Sequence, residues 1–176
     1  MPDDSPFAPC PGAVEAGGSD PADREDDLLL LTSQLCFALY STSRSMTAAY
    51  RPFLDAMDLT YPQYLALLAL WERPGVTMKE LGEHLRLDYG TVSPLIQRLQ
   101  TRGFVESVRS SADRRAVHLR PTEAGLALRE PARAMIEAVL ADVGYPLDTV
   151  IALRDQINAL GERLETVVAQ RQAVAR

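Results

Sequence analysis

Apolar residues recur every three or four positions along most of the chain, the spacing that places side chains on one face of an α-helix. The first such stretch runs from Leu35 to Met57 and predicts one long helix. A second begins after Thr60, where Thr60 and Gln63 occupy the two positions of a capping box, and stops at Pro74-Gly75. The first half of the chain therefore predicts two consecutive helices.

Two shorter helices and a hairpin are predicted next. Thr77 and Glu80 form a second capping box, for a helix ending near residue 86. The following helix runs from about residue 88 or 90 to residue 102, and Pro94 favours a start at residue 90 or 91, because an interior proline costs about 3 kcal/mol. Partial alternation over residues 104–109 and 115–120 predicts a β-hairpin.

Helical periodicity returns in the last third of the chain. One helix is predicted from Pro121-Thr122 to Gly144-Tyr145-Pro146, which ends it. The last helix carries an apolar stripe from Leu147 to Val167. A stripe of that length at the end of a chain needs a partner surface.

This order of elements is typical of a winged helix-turn-helix flanked by long helices, a mainly α fold with a small β component (α+β). A helical domain with an incidental hairpin is the alternative. The predicted organisation has four parts. They are a disordered acidic tail (residues 1–27), an N-terminal dimerisation helix (28–59), the winged helix-turn-helix (60–120) and C-terminal dimerisation helices (121–176).

Charge is distributed unevenly along the 176 residues, whose net charge is −6. The first 30 residues hold eight acids and one arginine, whereas residues 60–120 hold nine Lys or Arg and six Asp or Glu. The predicted winged helix is therefore the basic part of an acidic protein, and basic charge in one place favours nucleic acid as partner.

Several classes of protein are disfavoured by composition. No apolar run is long enough to cross a membrane and the N-terminus is acidic, so we expect a cytoplasmic protein without a signal peptide or membrane partner. Two cysteines, Cys10 and Cys36, lie far in sequence from the two histidines. We expect no metal site and no cofactor.

Five segments resemble the MarR family and, within it, the organic hydroperoxide sensors known as OhrR. They are QLCFALY at residues 34–40, YRP at 50–52, LTYPQYL at 59–65, LDYGT at 87–91 and SADRR at 111–115. The resemblance covers roughly residues 33–170. It implies a homodimeric repressor that leaves its double-stranded DNA operator when an organic hydroperoxide oxidises its N-terminal cysteine.

Cys36 would be the sensor, and its thiolate needs hydrogen-bond donors or positive charge nearby. No Lys or Arg lies within four residues, so tyrosine hydroxyls are the candidates: Tyr40 shares its helix face, four residues on. Tyr50 would lie roughly 21 Å away along one straight helix, so we expect Tyr50 and Tyr61 to approach Cys36 from the partner chain, as the resemblance also implies. The alternative is that Cys36 is a small, inert apolar residue.

Oxidation to a sulfenic acid, and then to a mixed disulfide with a low-molecular-weight thiol, would add bulk at the dimer seam and move the recognition helices. Cys10 departs from the family, whose two-cysteine members carry the second thiol in the C-terminal half. The resemblance therefore implies the one-cysteine mechanism, with Cys10 either a resolving thiol or, as we favour, a bystander.

DNA contacts are expected from the helix ending near residue 102 and from the hairpin. On the helix the candidates are Tyr89, Thr91, Ser93, Gln97 and Arg98. Tyr89 departs from the small residue expected of the family at that position.

The hairpin, or wing, carries clustered arginines suited to a narrow minor groove. These are Arg109, Arg114, Arg115 and Arg120. In the family an Asp-x-Arg places its arginine in the groove with the aspartate orienting it, and Asp113 and Arg115 match that pattern.

Three other functions remain open. One is a MarR-type repressor released by a small aromatic ligand, with Cys36 structural. Another is a thiol peroxidase, which we disfavour because no activating arginine stands near Cys36 in sequence and the basic winged helix would have no use. The third is a helix-turn-helix used only for protein contacts. We expect a protein that is not an enzyme.

Overall fold

The structure is a computed structural model that describes residues 28–109 and 117–174. The described residues divide into two compact units, those up to Met46 and those from Thr47 onward. The predictions of a disordered tail and a bystander Cys10, and those for Asp113, Arg114 and Arg115, fall outside the described residues.

Helix α1, Leu35–Ala56, follows a short 3-10 turn at Leu31–Ser33 and confirms the predicted first helix. In the N-terminal unit its side chains and those before it are exposed or half-buried. Leu39 is half-buried, and seven other large apolar residues of this unit are exposed: Leu28, Leu29, Leu30, Leu31, Leu35, Phe37 and Met46.

Both predicted capping boxes are present. Helix α2, Tyr61–Glu72, begins after Thr60, whose backbone N–H donates to the Gln63 side chain at 2.9 Å. Helix α3, Met78–Leu85, begins after Thr77, which exchanges hydrogen bonds with Glu80 in the same way. These reciprocal bonds satisfy N–H groups that have no partner inside the helix.

Helix α4, Tyr89–Thr101, begins one or two residues before the start that Pro94 favoured. The Asp88 carboxylate caps it by accepting from the Thr91 N–H at 3.0 Å. Pro94 lies inside the helix and has no N–H to donate to the Gly90 carbonyl four residues back. The Asp88 cap offsets part of that loss by stabilising the first turn.

The hairpin belongs to a three-stranded antiparallel sheet. Strand β2, Val105–Arg109, pairs with β3, Val117–Pro121, in a register that sets Ser107 opposite Leu119. The third strand, β1 at Val76–Thr77, was not predicted, because two residues carry no periodicity; it pairs with the other edge of β3.

Two helices, rather than the single one predicted, follow the sheet: α5, Glu123–Ala127, and α6, Arg129–Val143. Pro131 explains the break, because it has no N–H to donate to the Ala127 carbonyl four residues before it. The last helix, α7, is Leu147–Val174. None of the described helices is long and apolar enough to cross a membrane.

The core of the C-terminal unit lies between α2, α4, the sheet and α6. Its fully buried side chains include Leu67, Leu70, Ile96, Leu99, Leu119 and Met135. In contrast, no described residue of α7 is buried, and its apolar side chains are mostly exposed.

Candidate functional site

Helices α3 and α4 form a helix-turn-helix whose turn is tightly built. Arg86 ends α3 in the left-handed conformation, with φ 55° and ψ 39°. A Cβ on Gly82 would lie 3.0 Å from the Leu87 carbonyl oxygen, so the glycine lets the turn approach α3 closely. The turn therefore sets the angle at which α4 leaves α3.

One face of α4 is buried and the opposite face is open to solvent. Val92, Ile96 and Leu99 are fully buried, whereas Gln97 is exposed and Tyr89 keeps 69% of its surface exposed. Gln97 and Tyr89 are thus accessible to a groove of DNA, as a recognition helix requires.

Two of the predicted α4 contacts are less free than the sequence suggests. The Thr91 hydroxyl donates to the Asp88 carboxylate at 2.8 Å, which leaves its methyl group and lone pairs for other contacts. Ser93 is half-buried. The Thr91 hydroxyl and backbone N–H together hold the pKa of Asp88 below its ordinary value, because both bonds favour the carboxylate.

Arg98 is exposed but lines an open cavity of about 570 Å³. Carboxylates of Asp55 and Asp58 share that cavity, and Arg102, another lining residue, forms an ion pair with Asp58. Arg98 therefore shares this cavity with acidic groups of its own chain.

The wing has two arginines among the described residues. Arg109 is exposed and pairs with Val117 at the last position of the β2–β3 ladder. Arg120 is exposed on β3. The other wing candidates are Asp113, Arg114 and Arg115, which lie between residues 110 and 116 and outside the described part of the chain.

Cys36 is exposed in the first turn of α1, where backbone N–H groups lack intrahelical partners. Tyr40, one helical turn later, is 58% exposed. One turn further, the Arg44 guanidinium donates to the Tyr40 hydroxyl at 3.1 Å and lies 5.6 Å from the centre of its ring. Sequence reasoning missed Arg44, although an i, i+4, i+8 spacing from Cys36 could have identified it.

Tyr50 and Tyr61 belong to a cluster of three rings in the C-terminal unit. Their centroids are 5.9 Å apart, and Tyr64, which sequence reasoning also missed, lies 6.1 Å from Tyr50 and 6.2 Å from Tyr61. Burial raises the pKa of all three phenols, that of Tyr64 to about 12. The cluster therefore stays protonated at neutral pH and keeps its O–H donors.

No three His, Cys, Asp or Glu side chains within residues 28–109 and 117–174 lie close enough together to hold a metal ion. What the described residues offer is an exposed helix-turn-helix beside a sheet, and an exposed thiol with a tyrosine and an arginine on its helix.

The chain is similar to known proteins in sequence and in fold. A profile of the MarR family matches residues 57–116. The organic hydroperoxide resistance transcriptional regulator of Bacillus subtilis is 48% identical over 106 residues, which are 60% of this chain and 72% of that protein.

Two solved structures match most of the chain. Reduced AbfR bound to DNA, a Staphylococcus epidermidis protein, matches with a TM-score of 0.63 and 30% identity over 81% of this chain and 99% of its own. CouR of Rhodococcus jostii, bound to p-coumaroyl-CoA, matches with a TM-score of 0.66 and 25% identity over 75% of this chain and 94% of its own.

Proposed function

The chain belongs to the MarR family and is a DNA-binding transcriptional regulator, and from that premise we propose that it is a homodimeric repressor which an organic hydroperoxide releases from its operator by oxidising Cys36. The observation that carries the proposal is the exposed Cys36 in the first turn of α1. The 48% identity to a regulator of organic hydroperoxide resistance supports it.

The operator contacts divide between α4 and the wing. Gln97, on the open face of α4, has an amide that can read a base edge, and Tyr89 can add a sugar or base contact. Arg109 and, beyond the described residues, Arg114 and Arg115 supply positive charge for the adjoining minor groove, with Asp113 orienting Arg115. Thr91, Ser93 and Arg98 take supporting contacts at the edge of this face.

A second copy of the chain is the partner that fits α7. This helix of 28 residues has no buried side chain in the described chain, yet Leu153, Ile157 and Leu164 are apolar and 42–53% exposed. Burying such a stripe against its symmetry mate removes apolar surface from water at about 25 cal/mol per Å². Apolar residues 28–31 give the N-terminal unit a similar surface.

Sensing is a two-electron oxidation of sulfur. The Cys36 thiolate attacks one oxygen of the hydroperoxide, so an S–O bond forms as the O–O bond breaks. The leaving alkoxide takes up a proton and departs as an alcohol, and the sulfur becomes a sulfenic acid. A low-molecular-weight thiol then displaces the sulfenic oxygen as water and leaves a mixed disulfide.

Tyrosine hydroxyls support the thiolate before oxidation. Tyr40 acts within the chain, and Tyr50 and Tyr61 act across the dimer interface. Both phenols are protonated at neutral pH, and a protonated phenol is the form that donates to a sulfur anion. Oxidation removes the acceptor and adds bulk at the seam, so the two recognition helices change their separation.

The experiment is operator binding by fluorescence anisotropy, using the DNA upstream of the protein's own gene, before and after one equivalent of cumene hydroperoxide with a small thiol. We expect release of the wild type and of the matched control Cys10→Ser, and no release of Cys36→Ser. Release of Cys36→Ser would contradict the proposal. It would favour instead a repressor controlled by an aromatic ligand. The similarity to CouR, whose structure holds p-coumaroyl-CoA, supports that alternative.

A further inference from the structure

Arg44 is the sole charged residue between Leu28 and Tyr50 in the sequence. Its guanidinium is committed to Tyr40, donating to the phenol oxygen at 3.1 Å and lying over the ring at 5.6 Å. On the helix that carries Cys36, the positive charge nearest to the thiol in sequence is thus held at the Tyr40 hydroxyl.

The direction of this hydrogen bond decides what Tyr40 can do next. A guanidinium has donors and no acceptor, so the phenol oxygen must accept from it. The phenol proton is then left to donate elsewhere, and an adjacent cation strengthens that donation because it draws electron density from the oxygen.

Helix geometry points that donation towards the thiol. Long side chains on a helix lean towards the N-terminus and cover the preceding turn. The Arg44 guanidinium reaches back to the Tyr40 hydroxyl, as the hydrogen bond between them shows. By the same helix geometry we expect the Tyr40 phenol to extend towards the turn that holds Cys36. Arg44 itself is eight residues from Cys36, about 12 Å along the helix axis, and acts through Tyr40.

We propose that Arg44 is a positioning residue of the sensor: it holds the Tyr40 hydroxyl as a polarised donor to the Cys36 thiolate and thereby raises the reactivity of the thiol. This inference rests on the proposed role of Cys36 and adds a residue to it. Arg44 lies eight residues from Cys36, outside the four-residue window in which the sequence offers no Lys or Arg.

The test is the rate at which iodoacetamide alkylates Cys36 in full-length protein at pH 7, in a Cys10→Ser background, together with thiolate absorbance at 240 nm. We expect Arg44→Ala and Tyr40→Phe each to lower the rate and the absorbance by about three- to tenfold, the range to which the net contribution of one ordinary hydrogen bond corresponds. The double variant should be no slower than Tyr40→Phe alone, and Arg44→Lys should recover part of the rate.

Arg51→Ala is the matched control, because Arg51 is an exposed arginine of the same helix that pairs with Asp55 at 3.7 Å. A rate for Arg44→Ala equal to wild type, or a double variant that is slower by the product of the two single effects, would overturn the inference. Alkylation needs neither DNA nor peroxide, so the result stands apart from hydroperoxide release, which tests the proposed function.

Discussion

Asp88 and Thr91 are joined by two hydrogen bonds, from the Thr91 N–H to one carboxylate oxygen at 3.0 Å and from its hydroxyl to the other at 2.8 Å. The pair ties the turn of the helix-turn-helix to the first residues of the recognition helix. It also fixes where Tyr89 is displayed, because Tyr89 lies between the two.

Replacing Asp88 with alanine removes both bonds. We expect Asp88→Ala to lower the melting temperature by about 2–4 °C and to weaken operator binding, since the first turn of α4 frays. Circular dichroism melts and anisotropy titrations measure the two effects. Asp88→Asn, which keeps an acceptor for the Thr91 N–H, should retain most of both; equal losses in the two variants would show that the cap is not the cause.

Gly125 of α5 lies against the backbone of Phe104, the residue before strand β2. A Cβ there would stand 2.0 Å from the Phe104 carbonyl oxygen, and the Gly125 carbonyl accepts from the Trp71 indole N–H at 3.0 Å. Gly125→Ala should therefore destabilise the protein by about 2–3 kcal/mol, because backbone has to move. Urea denaturation measures this, with Ala124→Ser, an exposed neighbour, as control; a loss below 0.5 kcal/mol, the usual range for surface changes, would contradict it.

The tyrosine cluster predicts a loss of stability in alkali. The folded pKa of Tyr64, about 12, is above its unfolded value, so the stabilisation is complete below pH 10 and is lost as pH rises through 12. Tyr50 and Tyr61 act in the same direction. Melting temperatures between pH 9 and 12 should fall less steeply for Tyr64→Phe than for wild type, with phenolate absorbance at 295 nm as a check. Parallel curves would refute this.

The apolar stripe of α7 predicts the oligomeric state. Ile157→Asp should weaken dimerisation, so that the variant is a monomer or dimerises only at high protein concentration. The reason is that two carboxylates would meet at a two-fold interface. Sedimentation velocity measures this. Asp155→Asn, a change on the same helix at a residue paired with Arg154, should leave the dimer intact. Monomeric wild-type protein at micromolar concentration would remove the dimer from the proposal.

Substitutions in the wing and in the recognition helix should change DNA binding in different ways. Arg115→Ala should weaken binding to all DNA and reduce the slope of log affinity against log salt by about one phosphate equivalent. Gln97→Ala should weaken operator binding by about 1–3 kcal/mol while binding to unrelated DNA and the salt slope stay unchanged. Anisotropy titrations at several salt concentrations distinguish these results, and an unchanged slope for Arg115→Ala would exclude a phosphate contact.

Local signals made much of this fold predictable. The capping boxes at Thr60 and Thr77 place helix starts through hydrogen bonds between residues three apart. The periodicity of residues 35–57 predicts α1, and with it the shared helix face of Cys36 and Tyr40. Each of these interactions lies within one or two turns of chain, so the sequence alone determined it.

Tertiary structure decided the features that depend on residues far apart in sequence or on side-chain rotamers. Strand β1 exists because Val76 meets Leu119, 43 residues later, and two residues carry no pattern of their own. Arg44 contacts Tyr40 only in the rotamers that bring the guanidinium and the phenol together. The Tyr64 ring lies beside the Tyr50 ring only because the two helices that carry them pack together. Periodicity says which face of a helix is apolar; packing decides what that face meets.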